Sequence, residues 1–128
     1  MPDDVTPWIT RAALAQLDAS DRDRLDRACR GLATAMGRHL SGAEPRALLT
    51  LGVALARMEW PFLVRVEVAS DGGLSGFALA TEDASAETVH AAGLSILEHS
   101  LRLFATLEGD ECAREVAEAA WGPLSGDC

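Results

Sequence analysis

The chain has 128 residues, 48% apolar and 24% charged, and its 20 acidic against 11 basic residues give a formal net charge of −9. It contains no Lys, Asn or Tyr, so every basic residue other than histidine is Arg. Such a composition suits a folded globule rather than a disordered chain. It excludes a Schiff-base lysine, a phosphate-loop lysine, tyrosine acid–base chemistry and an asparagine-built oxyanion hole. The missing residues share A/T-rich codons, which points to a G+C-rich, bacterial gene.

One domain over residues 1–123, followed by a short tail at 124–128, is the expectation for this length. A chain of this size buries roughly two-thirds of the surface its unfolded form exposes. The longest apolar run without a charge, Ala47–Ala56, has ten residues, about half of a bilayer span. No basic segment leads into an apolar run near the N-terminus, so no signal peptide is expected. Cys29, Cys112 and Cys128 are widely spaced with no C-x-x-C pair. That pattern fits reduced thiols and a cytoplasmic protein.

In chain order, Thr6-Pro7 reads as an N-cap followed by a first-turn proline, opening a short helix to about Asp18 with Ile9, Ala13 and Leu17 on one side. Ser20, with Asp23 three residues on, opens a second helix. Asp23–Arg27 and Asp26–Arg30 are i,i+4 pairs with the acid first, the better orientation. Its apolar stripe is Leu25, Cys29, Leu32, Met36 and Leu40, and Ser41-Gly42 breaks it. Pro45 opens a third helix, Arg46 to about Glu59. Leu48, Leu49, Leu51, Val53, Leu55 and Met58 leave it almost no polar face, the pattern of a buried helix. Gly52 at its centre implies a close backbone approach to a neighbour.

The period then changes from 3.6 to 2. Phe62–Ala69 and Leu74–Thr81 read as two strands joined at Asp71-Gly72, with Val66 opposite Phe77 and Val64 opposite Leu79. A long amphipathic helix follows, from about Ala84 to Leu107, with Val89, Gly93, Ile96, Leu97, Leu101, Phe104 and Leu107 inward. Gly109 stops it, Asp110 caps a last helix, and Gly122-Pro123 ends that. The expected fold is therefore α+β: an N-terminal helical layer, one antiparallel hairpin over about 62–81, then a long helix and a short one. A lone hairpin exposes two edges. Arg65 and Glu67 on its outer face would be self-complementary about a two-fold axis, which predicts a homodimer.

The acidic excess is one-sided. Residues 1–64 hold eight acids and eight Arg, whereas residues 65–128 hold twelve acids and three Arg. A carboxylate-rich half repels nucleic acid and favours a basic protein partner. Glu108, Asp110, Glu111, Glu115 and Glu118 form the densest run and are the partner-binding candidates. This run lacks the alternating oxygen ligands and central Gly of a calcium loop.

Histidine is the one residue type here with chemistry near neutral pH. Glu87-x-x-His90 is half of the motif used by di-iron helical bundles. Glu87, His90 and Glu98 are therefore the metal candidates, against a plainer reading of His90 as a core residue. His39 reads as a packing residue beside Met36. His99 and Ser95 are neighbours on the polar face with no carboxylate placed to orient the imidazole. Gly72-Gly73-Leu74-Ser75-Gly76 fits neither phosphate-loop spacing, and the arginines of the second helix read as a solvated face. No cofactor, nucleic acid or membrane is expected.

These residues carry no family's motifs; small acidic α+β dimers occur among bacterial secretion chaperones, a likeness of composition and size only. The single hairpin is less sheet than those proteins use. The leading expectation is a non-catalytic adaptor or chaperone-like module whose acidic half receives a basic partner. A small metal- or ligand-binding enzyme centred on His90 and Glu87, and a structural subunit of a larger assembly, are the alternatives.

Overall fold

The structure, a computed structural model, describes residues 6–17 and 22–122. The expected cap at Ser20, the pairing of Asp23, the cap role of the Thr6 side chain and the tail at 124–128 lie outside the described residues. The fold is α+β and mostly helical. The described residues form six helices, α1 (Thr6–Leu14), α2 (Arg22–Met36), α3 (Glu44–Glu59), α4 (Phe77–Ala80), α5 (Ala86–Glu108) and α6 (Asp110–Trp121), and one two-stranded hairpin. Its strands are β1 (Glu67–Val68) and β2 (Leu74–Ser75).

The long helix α5 is the centre because its sequence is apolar over half its circumference. Val89, Ile96, Leu97, Leu101 and Phe104 are all buried, and α3, α6 and α1 pack around them. Ser85 caps α5 by accepting a hydrogen bond from the Thr88 N–H at 3.1 Å. Against α6 lies α2, with Leu25, Cys29, Leu32 and Met36 buried as its stripe predicts. Two contacts seal that pair: the Trp121 indole donates to the Ala28 carbonyl at 3.1 Å, and Gly31 lies against the Ala120 carbonyl.

Gly52 is the closest approach of α3 to α5. A Cβ there would stand 2.1 Å from the Ser100 Oγ and 3.1 Å from the Ser100 N, so only glycine lets the two helices meet at this depth. The third helix is not apolar-buried all round, however. Leu48, Leu49, Val53 and Ala56 are buried, but Leu51, Leu55 and Met58 are exposed, Met58 by 80%. Among the described residues, no neighbouring element covers this flank of α3, a fact that helical periodicity cannot supply.

The hairpin is present but shorter than its sequence alternation predicts, and one residue out of the expected register. Glu67 pairs with Ser75 and Val68 with Leu74, not Val66 with Phe77. The turn is a three-residue loop, Ser70-Asp71-Gly72, closed by Ala69 N–H donating to the Gly73 carbonyl at 2.8 Å. Gly72 takes φ +91° at its last position, the left-handed residue that such loops require. Pro61 starts a 3-10 turn, Pro61–Arg65, in place of the first half of the expected strand. Gly76 at φ +86° ends the second strand and opens α4. Leu63 is therefore buried, whereas Val64 and Leu79 face solvent at 61% and 65% exposure. Arg65 lies in the 3-10 turn and not beside Glu67 on a strand, so the face that was to carry a two-fold charge pair does not form.

The hairpin is fastened to α2 by charge. Asp26 accepts from the Leu74 N–H at 2.7 Å and pairs with Arg30 at 3.0 Å. Arg30 also reaches Asp71 at 3.3 Å. Two arginine-helix residues that read as a solvated face are thus a tertiary clamp. Among the described residues, no helix is long and apolar enough to cross a membrane.

Three outcomes follow from this packing. Gly52→Ala overpacks the α3–α5 contact and lowers stability by about 1–3 kcal/mol in urea denaturation. Asp26→Ala strands the Leu74 N–H and costs about 1–3 kcal/mol by the same measurement. Burial, and then the Asp26 charge, push the Cys29 thiol far above its ordinary value of 9.0. The unfolded chain ionises there first. Folding stability is therefore intact below that pH and falls as pH rises beyond it, by about 1.4 kcal/mol per unit. The absence of Lys and Tyr leaves few other groups titrating in that window, and Cys29→Ala flattens the slope.

Candidate functional site

Helix α6 divides cleanly. Ala113, Val116 and Ala117 are buried against the bundle, so Glu111, Glu115 and Glu118, at i, i+4 and i+7, are exposed together on the opposite side. Glu108, also exposed, ends α5 just before them. Asp110 is the exception among the five acids of this run. It accepts a hydrogen bond from the Trp8 indole at 2.8 Å and faces Arg114 at 3.8 Å. The Arg114 guanidinium in turn lies 4.8 Å from the Trp8 ring. Asp110 is thus a structural residue that ties α1 to the α5–α6 joint. Nor does it cap α6: Gly109, at φ +98°, occupies the N-cap position without a side-chain bond, and Asp110 follows as the first helical residue.

The end of α2 delivers a histidine to this helix. His39 sits in the turn after α2, where its backbone N–H donates to the Met36 carbonyl at 2.9 Å. Its ring stands edge-on to Phe104, with centroids 5.9 Å apart and planes at 68°. Packing on Phe104 agrees with the sequence reading, but the ring is exposed and its Nδ1 meets the Cys112 Sγ at 3.4 Å. Glu115 completes the group: the imidazole, thiol and carboxylate ligand atoms all lie within 4.8 Å of one another. Burial, then the charges of Glu108 and Glu115, hold the Cys112 thiol above its ordinary range. That environment works against a free thiolate nucleophile, which needs an electropositive setting. Chemically, the group is better suited to hold a cation than to attack a carbonyl.

Sequence reasoning missed this cluster. Cys112 and Glu115, three residues apart on one helix face, were legible as a pair; His39, 73 residues from Cys112, joins them only through the packing of α2 on α6. The residues that the sequence offered for metal are not brought together. Glu87 is exposed in the first turn of α5 and His90 is half-buried. The Glu98 carboxylate, eight residues beyond His90 and so about 12 Å along the axis, accepts from the Thr10 hydroxyl of α1. Among the described residues, these three form no cluster of ligand atoms.

Ser95 and His99 do have a carboxylate, contrary to the sequence reading. Glu59, at the end of α3, accepts from the Ser95 hydroxyl at 2.8 Å and lies 3.9 Å from the His99 Nε2. The carboxylate sits on the serine itself rather than behind the imidazole, so the order of a nucleophile–base–orienter relay is absent. This is a polar clamp between α3 and α5. An open groove of about 500 Å³ lies between the end of α2 and the hairpin tip. Its charged residues are already engaged, Arg46 with the Val68 carbonyl at 2.8 Å and Asp71 with Arg30.

Comparison of the chain with models of protein families, with curated proteins and with solved structures finds no match. The functional reading therefore rests on the geometry.

In metal-free buffer, Glu108→Gln and Glu115→Gln each remove a charge that raises the Cys112 thiol. Both should speed its alkylation at mildly alkaline pH relative to the parent chain, measured by mass spectrometry of the intact protein. Cys29, buried in the core, should react only after unfolding.

Proposed function

We propose that this chain is a non-catalytic protein-binding module, adaptor or chaperone-like, whose α6 face receives a basic segment of a partner protein. The observation that carries the reading is the stripe of Glu111, Glu115 and Glu118. Among the described residues, none of the three has an ion-pair partner. The single arginine of α6, Arg114, turns to Asp110 and Trp8 instead. Like charges at i,i+3 and i,i+4 weaken a helix by about 0.2–0.5 kcal/mol per pair. A helix selected for stability alone would alternate its charges, as Asp26 and Arg30 do on α2. Glu111 lies in the first turn, where a carboxylate suits the helix dipole; Glu115 and Glu118 lie beyond it, and a cationic partner, whose approach such a field also accelerates, accounts for them. The same field disfavours nucleic acid.

A second reading, self-association, is favoured by α3. Leu51, Leu55 and Met58 repeat at i, i+4 and i+7 and are exposed, an apolar seam of the kind that pairs with another helix. On this reading, a homodimer forms through α3 rather than through the hairpin.

Capture from a native lysate at low and at high salt tests the first reading, with the parent chain and an E111Q/E115Q/E118Q variant run in parallel. The expected result is a specific protein retained by the parent at low salt and lost both with salt and in the variant. A partner held equally by the variant would remove the acidic face from the reading. Light scattering tests the second: a single 13.5 kDa species at high micromolar concentration would exclude the dimer.

A further inference from the structure

We propose that His39, Cys112 and Glu115 bind one divalent transition-metal ion of the zinc class. Three donors of different chemistry, an imidazole Nδ1, a thiol Sγ and a carboxylate oxygen, converge from two helical segments to within 4.8 Å of one another. With Zn–S near 2.3 Å and Zn–N near 2.0–2.1 Å, the N···S edge of a zinc tetrahedron is about 3.5 Å. The observed Nδ1···Sγ distance is 3.4 Å. Helix spacing brings Glu115 beside Cys112, and the packing of α2 on α6 adds the His39 imidazole at the same point, so that all three kinds of donor meet.

The frame behind the donors is rigid and their tips are free. Cys112 and Glu115 share one side of α6, whose other side, Ala113, Val116 and Ala117, is locked into the bundle. His39 is held by its backbone bond to Met36 and by Phe104 against its ring. The α2–α6 contact that sets the distance between the two segments is pinned by Trp121 on the Ala28 carbonyl. Closing the cluster onto an ion therefore needs only rotation of the exposed Glu115 side chain, with no change in the backbone. Glu108 and Glu111 on the flanks are both exposed and add negative potential that favours a cation.

The donor set selects the metal. Thiolate and imidazole favour zinc and its chemical neighbours over calcium and magnesium, which prefer oxygen-only sites. Three protein ligands leave a fourth position for water or an external ligand. On binding, the Cys112 S–H bond breaks, its proton passes to solvent, and the sulfur electron pair goes to the metal. No electron transfer is involved.

This inference is independent of the protein-binding reading, because the metal is measured with no partner present. The full-length, untagged chain, stripped with chelator, is titrated with cobalt(II) and then zinc(II). The expected result is one cobalt ion per chain, with a thiolate-to-cobalt charge-transfer absorption in the near ultraviolet that zinc abolishes by displacement. Cys112→Ser should eliminate that absorption, His39→Ala and Glu115→Gln should each weaken binding about tenfold or more, and Cys128→Ser should leave it unchanged. His39 and Cys112 lie outside the buried core, so circular dichroism of these variants should match the parent. Absence of the thiolate absorption, its survival in Cys112→Ser, its loss in Cys128→Ser, or unchanged affinity in His39→Ala would each overturn the assignment.

Discussion

The approach of α3 to α5 at Gly52 is the contact on which the rest of the packing depends. Ser100 stands where any side chain at position 52 would go, so the two helices meet closely, and Leu49, Val53 and Ala56 of α3 and Ile96, Leu97 and Phe104 of α5 are all buried. Close packing of this kind transmits strain, because an interior at crystal-like density has no slack to absorb an added methyl. The Ser100 hydroxyl has no partner among the described residues, a desolvation cost that the surrounding apolar burial must offset. With α5 held on that side by α3, its other flanks are free to receive α1 and α6. The joint at Gly109 then sets where α6, and with it both the acidic stripe and Cys112, can lie.

Acids in this chain do two different jobs, and tertiary partners distinguish them. Asp26, Glu59, Glu98 and Asp110 each accept a hydrogen bond that links segments far apart in sequence. Each holds an element in place: the hairpin on α2, α3 on α5, α1 on α5, and α1 on α6. Among the described residues, the side chains of Glu108, Glu111, Glu115 and Glu118 make no hydrogen bond or ion pair that fastens one element to another, and they face solvent. Within the acidic half, Glu98 and Asp110 place their charge on O–H and N–H donors rather than on one another, which lessens what that excess costs the fold. The second group leaves a concentrated negative face beside a histidine and a thiol, and any recognition by the molecule has the most to work with there.

Much of the helical architecture was legible. The i,i+3,i+4 stripes of α2 and α5 name their buried residues, because a helix has one face to bury and periodicity reveals it, except at their ends, where Leu107 is exposed and Leu40 only partly buried. Gly52 announced a close approach because glycine at a helix centre is costly without one. The hairpin was legible as a turn but not as a ladder. Alternation in 62–69 is real, yet Pro61 and Gly76 cut both strands short, and Leu63 rather than Val64 found a place in the core. Val66 and Val68 keep the inward parity that alternation gives them, but which of Leu63 and Val64, in the 3-10 turn, is buried depends on what lies beneath them. The exposed flank of α3 was hidden for the same reason: apolarity tells that a residue prefers burial, not that a neighbour exists to bury it.

Of the candidate sites, the acidic run could be read directly, because Glu111, Glu115 and Glu118 share a helix face through spacing alone. Its division into a structural Asp110 and free glutamates could not, since that depends on Trp8 arriving from a helix about a hundred residues earlier. The metal candidates show the same limit from the other side. Glu87-x-x-His90 had the right local spacing, but among the described residues no further ligand joins it. His39, Cys112 and Glu115 have no common motif, and the α2–α6 contact assembles them. The sequence by itself determined the five longer helices, the turn glycines and the surplus of carboxylates over cations, because these depend on local stereochemistry and composition; the short α4 it read as strand. Only the tertiary structure decided which carboxylates are spent on the fold and which donors meet, because coordination and hydrogen bonding act over a few ångströms between residues that the chain order leaves far apart.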